Sequence, residues 1–234
     1  MCQPYGFLLT TLHQFKFYMK KILPFIPIIA FLFTLVSCGD REKEPLSSLA
    51  SSTSTAGQIP PSGNYYPMRI GTKWAYDIGN NMIDTTTLVR DSSFAGRSYK
   101  FFKNSTNDYF IREENGIYYR REVNNLAIPD ATGTIERTEL RTDLGVGKVW
   151  NDDLSLITGG RLRYENVIDA IERTRYVKGI KYEYVLKVRT RIYTQGATGG
   201  ETIARTFYNY YCRNKGLIET IGDGNNKRLV YIGF

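Results

Sequence analysis

Residues Ile180–Thr194 read IKYEYVLKVRTRIYT. Tyr182, Tyr184, Leu186, Val188 and Ile192 occupy one phase of a two-residue period, and Lys181, Glu183, Lys187, Arg189 and Arg191 occupy the other. Successive side chains of a strand point to opposite faces, so this alternation predicts a β-strand with one buried face. The pattern recurs over Met82–Arg90, Ser98–Lys103, Asp108–Glu114, Gly116–Val123, Thr134–Arg141, Arg161–Arg173, Glu201–Arg213, Gly216–Ile221 and Arg228–Gly233. Turn formers separate these runs: Ala95-Gly96-Arg97, Asn115-Gly116, Gly159-Gly160, Lys178-Gly179, Gly199-Gly200 and Asp223-Gly224-Asn225-Asn226. No window of a dozen residues carries a helical stripe. About ten strands joined by short turns predict an all-β antiparallel meander, as a sandwich, a half-barrel or a barrel.

A weaker regularity runs through the same region. Gly71-Thr-Lys-Trp74 is echoed by Gly147-Lys-Val-Trp150, and Phe94-Ala-Gly-Arg-Ser-Tyr99 by Val177-Lys-Gly-Ile-Lys-Tyr182. Arg112 before Gly116-Ile117 is echoed by Arg213 before Gly216-Leu217. The common order suggests two similar halves, each opened by a Gly-x-x-Trp turn, with Trp74 and Trp150 as equivalent core anchors.

Upstream of the strands the composition changes. Met19–Cys38 reads MKKILPFIPIIAFLFTLVSC: two lysines, an apolar block from Ile22 to Val36, and Leu-Val-Ser ahead of a cysteine. A charged start, an apolar middle and a small residue before the cut are the parts of a secretory signal. The block is shorter than the ~20 residues of a membrane-spanning helix, and Pro24 and Pro27 interrupt it. Its end resembles the lipobox of bacterial lipoproteins, which implies cleavage between Ser37 and Cys38 and acylation of Cys38. Two or three acyl chains satisfy the two-signal requirement for stable anchoring. Met1–Tyr18 reads poorly as a leader start, so Met19 is the expected true start. Residues 1–37 are thus read as leader and signal peptide, 38–63 as lipidated cysteine and flexible tether, and 64–234 as the globular domain. The Ser/Thr/Pro-rich composition up to Gly63 gives the tether an rms reach of roughly 25–30 Å.

Charge and cysteine content narrow the function. The chain carries a net charge of +8; removing Lys16, Lys20 and Lys21 with the leader leaves 28 basic and 23 acidic residues, or +5. That balance suits anionic glycan or lipid head groups and is too small to point to nucleic acid. Cys2 lies in the leader and Cys38 is the lipid site, so Cys212 stands alone and no disulfide braces the domain. His13, the single histidine, is also in the leader. Without histidine the mature chain has no Ser-His-Asp triad, no Cys-His pair and no histidine-ligated zinc. Gly145-Val-Gly-Lys148 has the tail of a phosphate loop, but Thr142 stands where its first glycine belongs and Val149 where Ser or Thr holds magnesium. Asn151-Asp152-Asp153 and Asp223–Asn226 lack the spaced ligands of a calcium loop and read as turns. No cofactor is expected. Glu113, Glu114, Asp152, Asp153, Glu165, Asp169 and Glu183 are the carboxylates from which a glycosidase pair would have to come, and their spacing singles out none.

Tyr65-Tyr-Pro-Met-Arg-Ile-Gly-Thr-Lys-Trp-Ala-Tyr76 resembles the opening of uncharacterised Bacteroidota-type outer-membrane lipoproteins, in which aromatic-Pro-x-x-x-Gly-x-x-Trp-x-Tyr begins the globular part. Lys215-Gly-Leu-Ile-Glu219 followed by Leu229-Val-Tyr231 is similar to their closing hairpin. Gly39 after the cysteine, with Asp40, Glu42 and Glu44, is similar to their export signals. The resemblance implies a β-rich domain anchored at the outer membrane, on its periplasmic or outer face, and carries no activity with it.

Two readings of function follow. The first is a non-enzymatic binding or accessory module for a glycan or an envelope protein. Tyrosines and arginines interleave in the strands, and Tyr118, Tyr119, Arg120, Arg121, Arg189, Arg191, Tyr208 and Tyr210 are the candidate binding surface. The second is a carrier that holds an apolar ligand in a cupped sheet; a carboxylate-dependent hydrolase ranks behind both. Replacing Cys38 by Ser is expected to block processing and move the protein out of the membrane fraction, as read by globomycin-sensitive mobility and detergent partitioning.

Overall fold

The structure, a computed structural model, describes residues 55–196, 199–224 and 226–233. The leader, Ser37 and Cys38 lie outside the described residues. The chain forms twelve strands: β1 Lys73–Asp77, β2 Ile83–Phe94, β3 Arg97–Asn104, β4 Tyr109–Glu114, β5 Ile117–Glu122, β6 Ile135–Arg141, β7 Val149–Ser155, β8 Arg161–Val177, β9 Ile180–Gln195, β10 Glu201–Cys212, β11 Gly216–Gly222 and β12 Lys227–Gly233. They make one antiparallel sheet in the order β6-β5-β4-β3-β2-β1-β12-β11-β10-β9-β8-β7. Every strand lies beside its chain neighbour except at β1–β12 and at the two edges. The sheet rolls into a nearly closed barrel in which edge strands β6 and β7 face each other.

The ten expected strands are present, and two more, β1 (KWAYD) and β7 (VWNDDLS), complete the meander. Both hide in the sequence because they are short and carry acids, and each places its tryptophan second. Trp74 and Trp150 are buried, and each indole N–H crosses a gap in the backbone ladder. Between β11 and β12 only Glu219↔Arg228 and Thr220↔Lys227 are in register. Beyond them Trp74 Nε1 donates to Lys215 O at 2.7 Å and Tyr76 OH to Leu217 O at 2.9 Å, both from β1. Across the β6/β7 seam the Thr138 amide donates to Asp152 Oδ1 at 3.0 Å, and Trp150 Nε1 donates to Thr138 O at 3.4 Å. The loop ahead of β6 extends this seam: Ala127 bridges Leu156, with Ile128 N to Ser155 O at 2.8 Å and Ile157 N to Leu126 O at 2.9 Å.

The two ends of the barrel differ. The β2–β3, β4–β5 and β8–β9 hairpins turn on two residues, Ala95-Gly96, Asn115-Gly116 and Lys178-Gly179, all with positive φ as a type I′ turn requires; Asn115-Gly116 lies at one end, where Thr142 N bonds Gly116 O at 2.8 Å. The chain joins the barrel at this end. Residues 55–63, read from composition as tether, are instead held against it: Gly57 N bonds Val146 O at 2.9 Å, Val146 N bonds Gln58 O at 2.9 Å, and Arg213 Nη1 bonds Ser62 O at 3.1 Å. Backbone pairing, which composition does not report, overrides the tether reading there. Tyr65 and Tyr66 then plug the lumen, with the Tyr66 ring 5.6–6.3 Å from those of Phe102, Tyr118 and Tyr211. The opposite, distal end carries the loops at residues 78–82, 105–108, 123–134 and 156–160.

Strand β9 departs from period-two alternation at one residue. Tyr184, expected on the buried face, has φ +53° and is exposed. A left-handed residue reverses the alternation, and beyond it the β8–β9 hairpin tip crosses the outside of the sheet. Tyr211 sends its hydroxyl inward, so its neighbour Tyr210 faces outward. Arg175 lies over the Tyr210 ring, 3.4 Å from the centroid, and its Nε bonds Glu219 at 2.7 Å; Lys178 reaches Asp77 at 2.5 Å. Val177, Tyr182, Val185 and Cys212 are buried in this crossing, and the Cys212 thiol faces Glu183 O.

Tyr76→Phe deletes one hydroxyl and leaves the Leu217 carbonyl unpaired, so it is expected to cost about 1–3 kcal/mol. Tyr231→Phe, at an exposed tyrosine, is the neutral control. Urea unfolding of the two variants against the parent chain makes the comparison.

Candidate functional site

The lumen is polar where a carrier's would be apolar. β6 bulges at Glu139: Thr138 pairs with Tyr119 and Leu140 with Tyr118, leaving Glu139 as the extra residue. Its carboxylate reaches inward, where Oε1 accepts from Tyr211 OH at 3.1 Å and Tyr66 OH at 3.4 Å. Arg137 Nη1 stands 2.8 Å from Oε2, close enough to pair charges but off the hydrogen-bonding axis. Arg137 and Arg120 both pair with Glu122, at 3.5 and 2.7 Å, and Arg120 stacks 4.0 Å above the Tyr109 ring. Burial alone would raise the Glu139 and Glu122 carboxyls, but the two guanidiniums hold both below the ordinary glutamate range. Burial raises the Tyr66 and Tyr211 phenols well above theirs, and Tyr109 to about 12.

Beside this quartet Asp84 accepts from Asn104 Nδ2 at 3.0 Å and from Ser105 Oγ, with Lys227 Nζ at 3.8 Å. Burial lowers the Lys227 ammonium. A cavity of about 100 Å³ lies between Asp84, Asn104, Arg120, Glu139 and Lys227, floored by Trp74, Tyr76 and Phe102. Ligand clefts run from ~300 Å³ upward, so this space suits a few waters rather than a lipid or a sugar ring. The inward cations and anions neutralise one another: Arg120, Arg137 and Lys227 face Glu122, Glu139 and Asp84. Asp152 sits at the seam, its Oδ2 buried without a donor, and burial pushes its carboxyl up despite the Thr138 bond.

The candidate Tyr/Arg surface is not one surface. Tyr118 and Arg120 point inward from β5, and Tyr119 and Arg121 point outward from the same strand. Tyr118 accepts the Tyr65 amide at 2.8 Å in the core. Arg121 is buried, and its Nη1 holds the loop before β6 through Asp130 at 2.6 Å and Thr132 and Thr134 at 2.8 Å. Tyr119 lies under Arg112, 3.9 Å from ring centroid to guanidinium. Arg189 faces Asp169 at 3.8 Å, Arg191 faces Glu165 at 3.4 Å, and Tyr208 lies under Lys187 at 4.5 Å. Tyr210 is covered by Arg175. Strand alternation and internal pairing thus spend these side chains on the fold.

Among the carboxylates singled out by type, Glu165, Asp169, Glu183, Asp153 and Glu114 are paired with basic residues of the same or a neighbouring strand. Glu113 accepts the Gly116 amide at 2.8 Å. The inward acids Glu122 and Glu139 were not among them, because each follows an arginine by two residues, Arg120 and Arg137, and the pair reads as a solvated strand face. No group of three or more His, Cys, Asp or Glu is placed to hold a metal among the described residues.

What the distal end does expose is apolar. In the Ala127–Leu156 bridge Ala127 points inward, and Leu126, Ile128 and Ile157 stand outward, 66%, 57% and 61% exposed. Backbone bonds on both sides fix the three in register, and Val123 stands exposed at the start of the same loop. The sequence signal, isolated apolar residues among Asn, Pro and Gly, reads as an ordinary loop.

Glu139→Gln is expected to cost about 3–5 kcal/mol, because it leaves Arg137 buried beside a neutral group. The depressed Glu139 carboxyl contributes stability that is present above the unfolded glutamate value near ~4.3. That contribution is lost as pH falls through the lower folded value. Asp152 has the opposite sign: its raised carboxyl costs stability once pH rises above it. Asp152→Asn keeps an acceptor for Thr138 and should raise the melting temperature at pH 7, with the gain vanishing in acid. Calorimetry of both variants across pH tests the pair.

No family model matches this chain, and no curated protein matches it. Among solved structures it is similar to a Bacteroides fragilis NCTC 9343 protein described as exported and as having a YmcC-like fold, with a TM-score of 0.40 and 11% identity over 77% of this chain and 100% of that one. At that distance the strand register above, and not the neighbour, carries the fold.

Proposed function

We propose that this chain is a lipid-anchored, non-catalytic module of the bacterial envelope that docks a protein partner at the distal rim of its barrel. The observation that carries the reading is the Leu126–Ile128–Ile157 strip, three outward apolar side chains locked in register by a backbone ladder. Exposed apolar groups rimmed by polar residues mark interaction sites. The strip lies at the end opposite the one where the chain joins the barrel.

The lumen weighs against the other two readings. A carrier needs an unfilled apolar interior. Here Tyr65 and Tyr66 plug the barrel, and the remaining space is small and lined with charge. Hydrolysis of a glycoside needs two carboxyls about 5–9.5 Å apart around a sugar ring. The inward acids are instead ion-paired in a lumen that offers no room for one. Protein docking is favoured over glycan binding because the exposed feature is aliphatic, with neither aromatic platform nor hydrogen-bonding groups of its own.

A photo-crosslinking residue at position 157, introduced into the full-length protein in its native host, is expected to give one discrete protein adduct. Leu126→Asp should remove that adduct without lowering the melting temperature. Absence of any adduct at 126, 128 and 157 would contradict the reading.

A further inference from the structure

The end of the barrel where the chain joins it carries its own pattern. Lys73 and Lys148, contributed by the two Gly-x-x-Trp turns, and Lys215, from the β10–β11 turn, are exposed and make no ion pair among the described residues. Arg213, two residues before Lys215, is exposed, and among the described residues its side chain bonds the backbone carbonyl of Ser62 and no carboxylate. These positions belong to one rim. Trp74 Nε1 ties the first turn to Lys215 O, Asn214 N bonds Asn64 O at 2.7 Å, and Gly57 pairs with Val146 beside Lys148. Apolar side chains stand among them: Ile70 precedes Lys73 by three residues and Val149 follows Lys148, 49% and 52% exposed. The acids of the same rim are largely engaged. Arg141 holds Asp143, Arg112 holds Glu114, and Glu113 accepts the Gly116 amide. The distal end has no such bias, since Asp130, Asp153 and Glu201 there face Arg121, Arg161 and Arg163.

We infer that this rim is a membrane-contact face: the barrel rests with Lys73, Lys148, Lys215 and Arg213 on the anionic head groups of a bilayer, and Ile70 and Val149 dip between them. Two features single out a lipid surface as the occupant. Basic side chains near an anionic leaflet are attracted within about one Debye length, and interleaved aliphatic groups suit the head-group boundary. Gly57 and Gln58, near the first described residue, pair with Val146 at this same end, so a tether on Cys38 would hold the rim within reach of the surface. The inference rests on the lipid-anchor reading for that proximity alone. It replaces a freely dangling domain with one of fixed orientation, distal rim outward.

The test uses the lipidated chain reconstituted on vesicles of pure phosphatidylcholine and of phosphatidylcholine with about one-third phosphatidylglycerol. Lysine acetylation is read by mass spectrometry and attachment by flotation. Lys73, Lys148 and Lys215 are expected to label several-fold more slowly on the anionic vesicles, with Lys178, held by Asp77 beside the distal loop at residues 78–82, unchanged. High salt should restore the lost labelling, as should Lys148→Glu with Lys215→Glu for the remaining Lys73. Flotation with both vesicle types but identical labelling would overturn the contact face and leave the anchor standing. Flotation with anionic vesicles alone would sink the anchor and uphold the face. Flotation with neither would overturn both.

Discussion

A sheet has two edges, and each unpaired edge is a row of backbone donors and acceptors that another chain can capture. In this barrel side chains close the gaps that backbone pairing leaves. Asp152 and Trp150 of β7 bind the amide and carbonyl of one residue, Thr138 of β6. Trp74 and Tyr76 of β1 bind carbonyls of β11 and its preceding turn where β12 no longer pairs with it. The curvature of the sheet, the enclosure of the lumen and the contrast between the two ends all depend on these closures.

Closure has a consequence for what the interior can hold. A rolled twelve-stranded sheet encloses more volume than aliphatic strands alone would fill, and this chain fills it with aromatic rings and compensated charge. The Glu139 carboxylate meets Tyr211 of β10, Tyr66 of the plug and Arg137 of its own strand, which crosslinks the lumen from β6 to β10 and to Tyr66. Breaking one partner of such a network costs more than the whole network contributes, so it favours a single arrangement over raw stability. The surface chemistry is then left to the ends, with exposed lysines where residues 55–63 pair with the barrel and Leu126, Ile128 and Ile157 at the other.

Much of the architecture was legible in the residues. Period-two alternation located ten strands, and Asn-Gly, Ala-Gly and Lys-Gly marked the tight hairpins. The Gly-x-x-Trp echo also has a physical counterpart: Trp74 and Trp150 hold the same place in β1 and β7, and each donates across a break in the ladder. Tyr184 at φ +53° and Glu139 in a bulge each change which face a side chain takes, and alternation presumes that no such change occurs. Grouping Tyr118 to Arg121 as one surface sets alternation aside, since neighbours in a strand face opposite ways. Residues 55–63 were misread because a Ser/Pro-rich stretch gives no sign that Gly57 and Gln58 pair with Val146.

The most direct measurement is hydrogen exchange at the Thr138 amide in the native protein. If the barrel is sealed as described, that amide exchanges as slowly as those within the β8–β9 ladder, and Asp152→Ala releases it selectively. Exchange as fast as at an exposed loop amide in the parent chain would mean that β6 and β7 are open edges and that the barrel is not closed by its side chains.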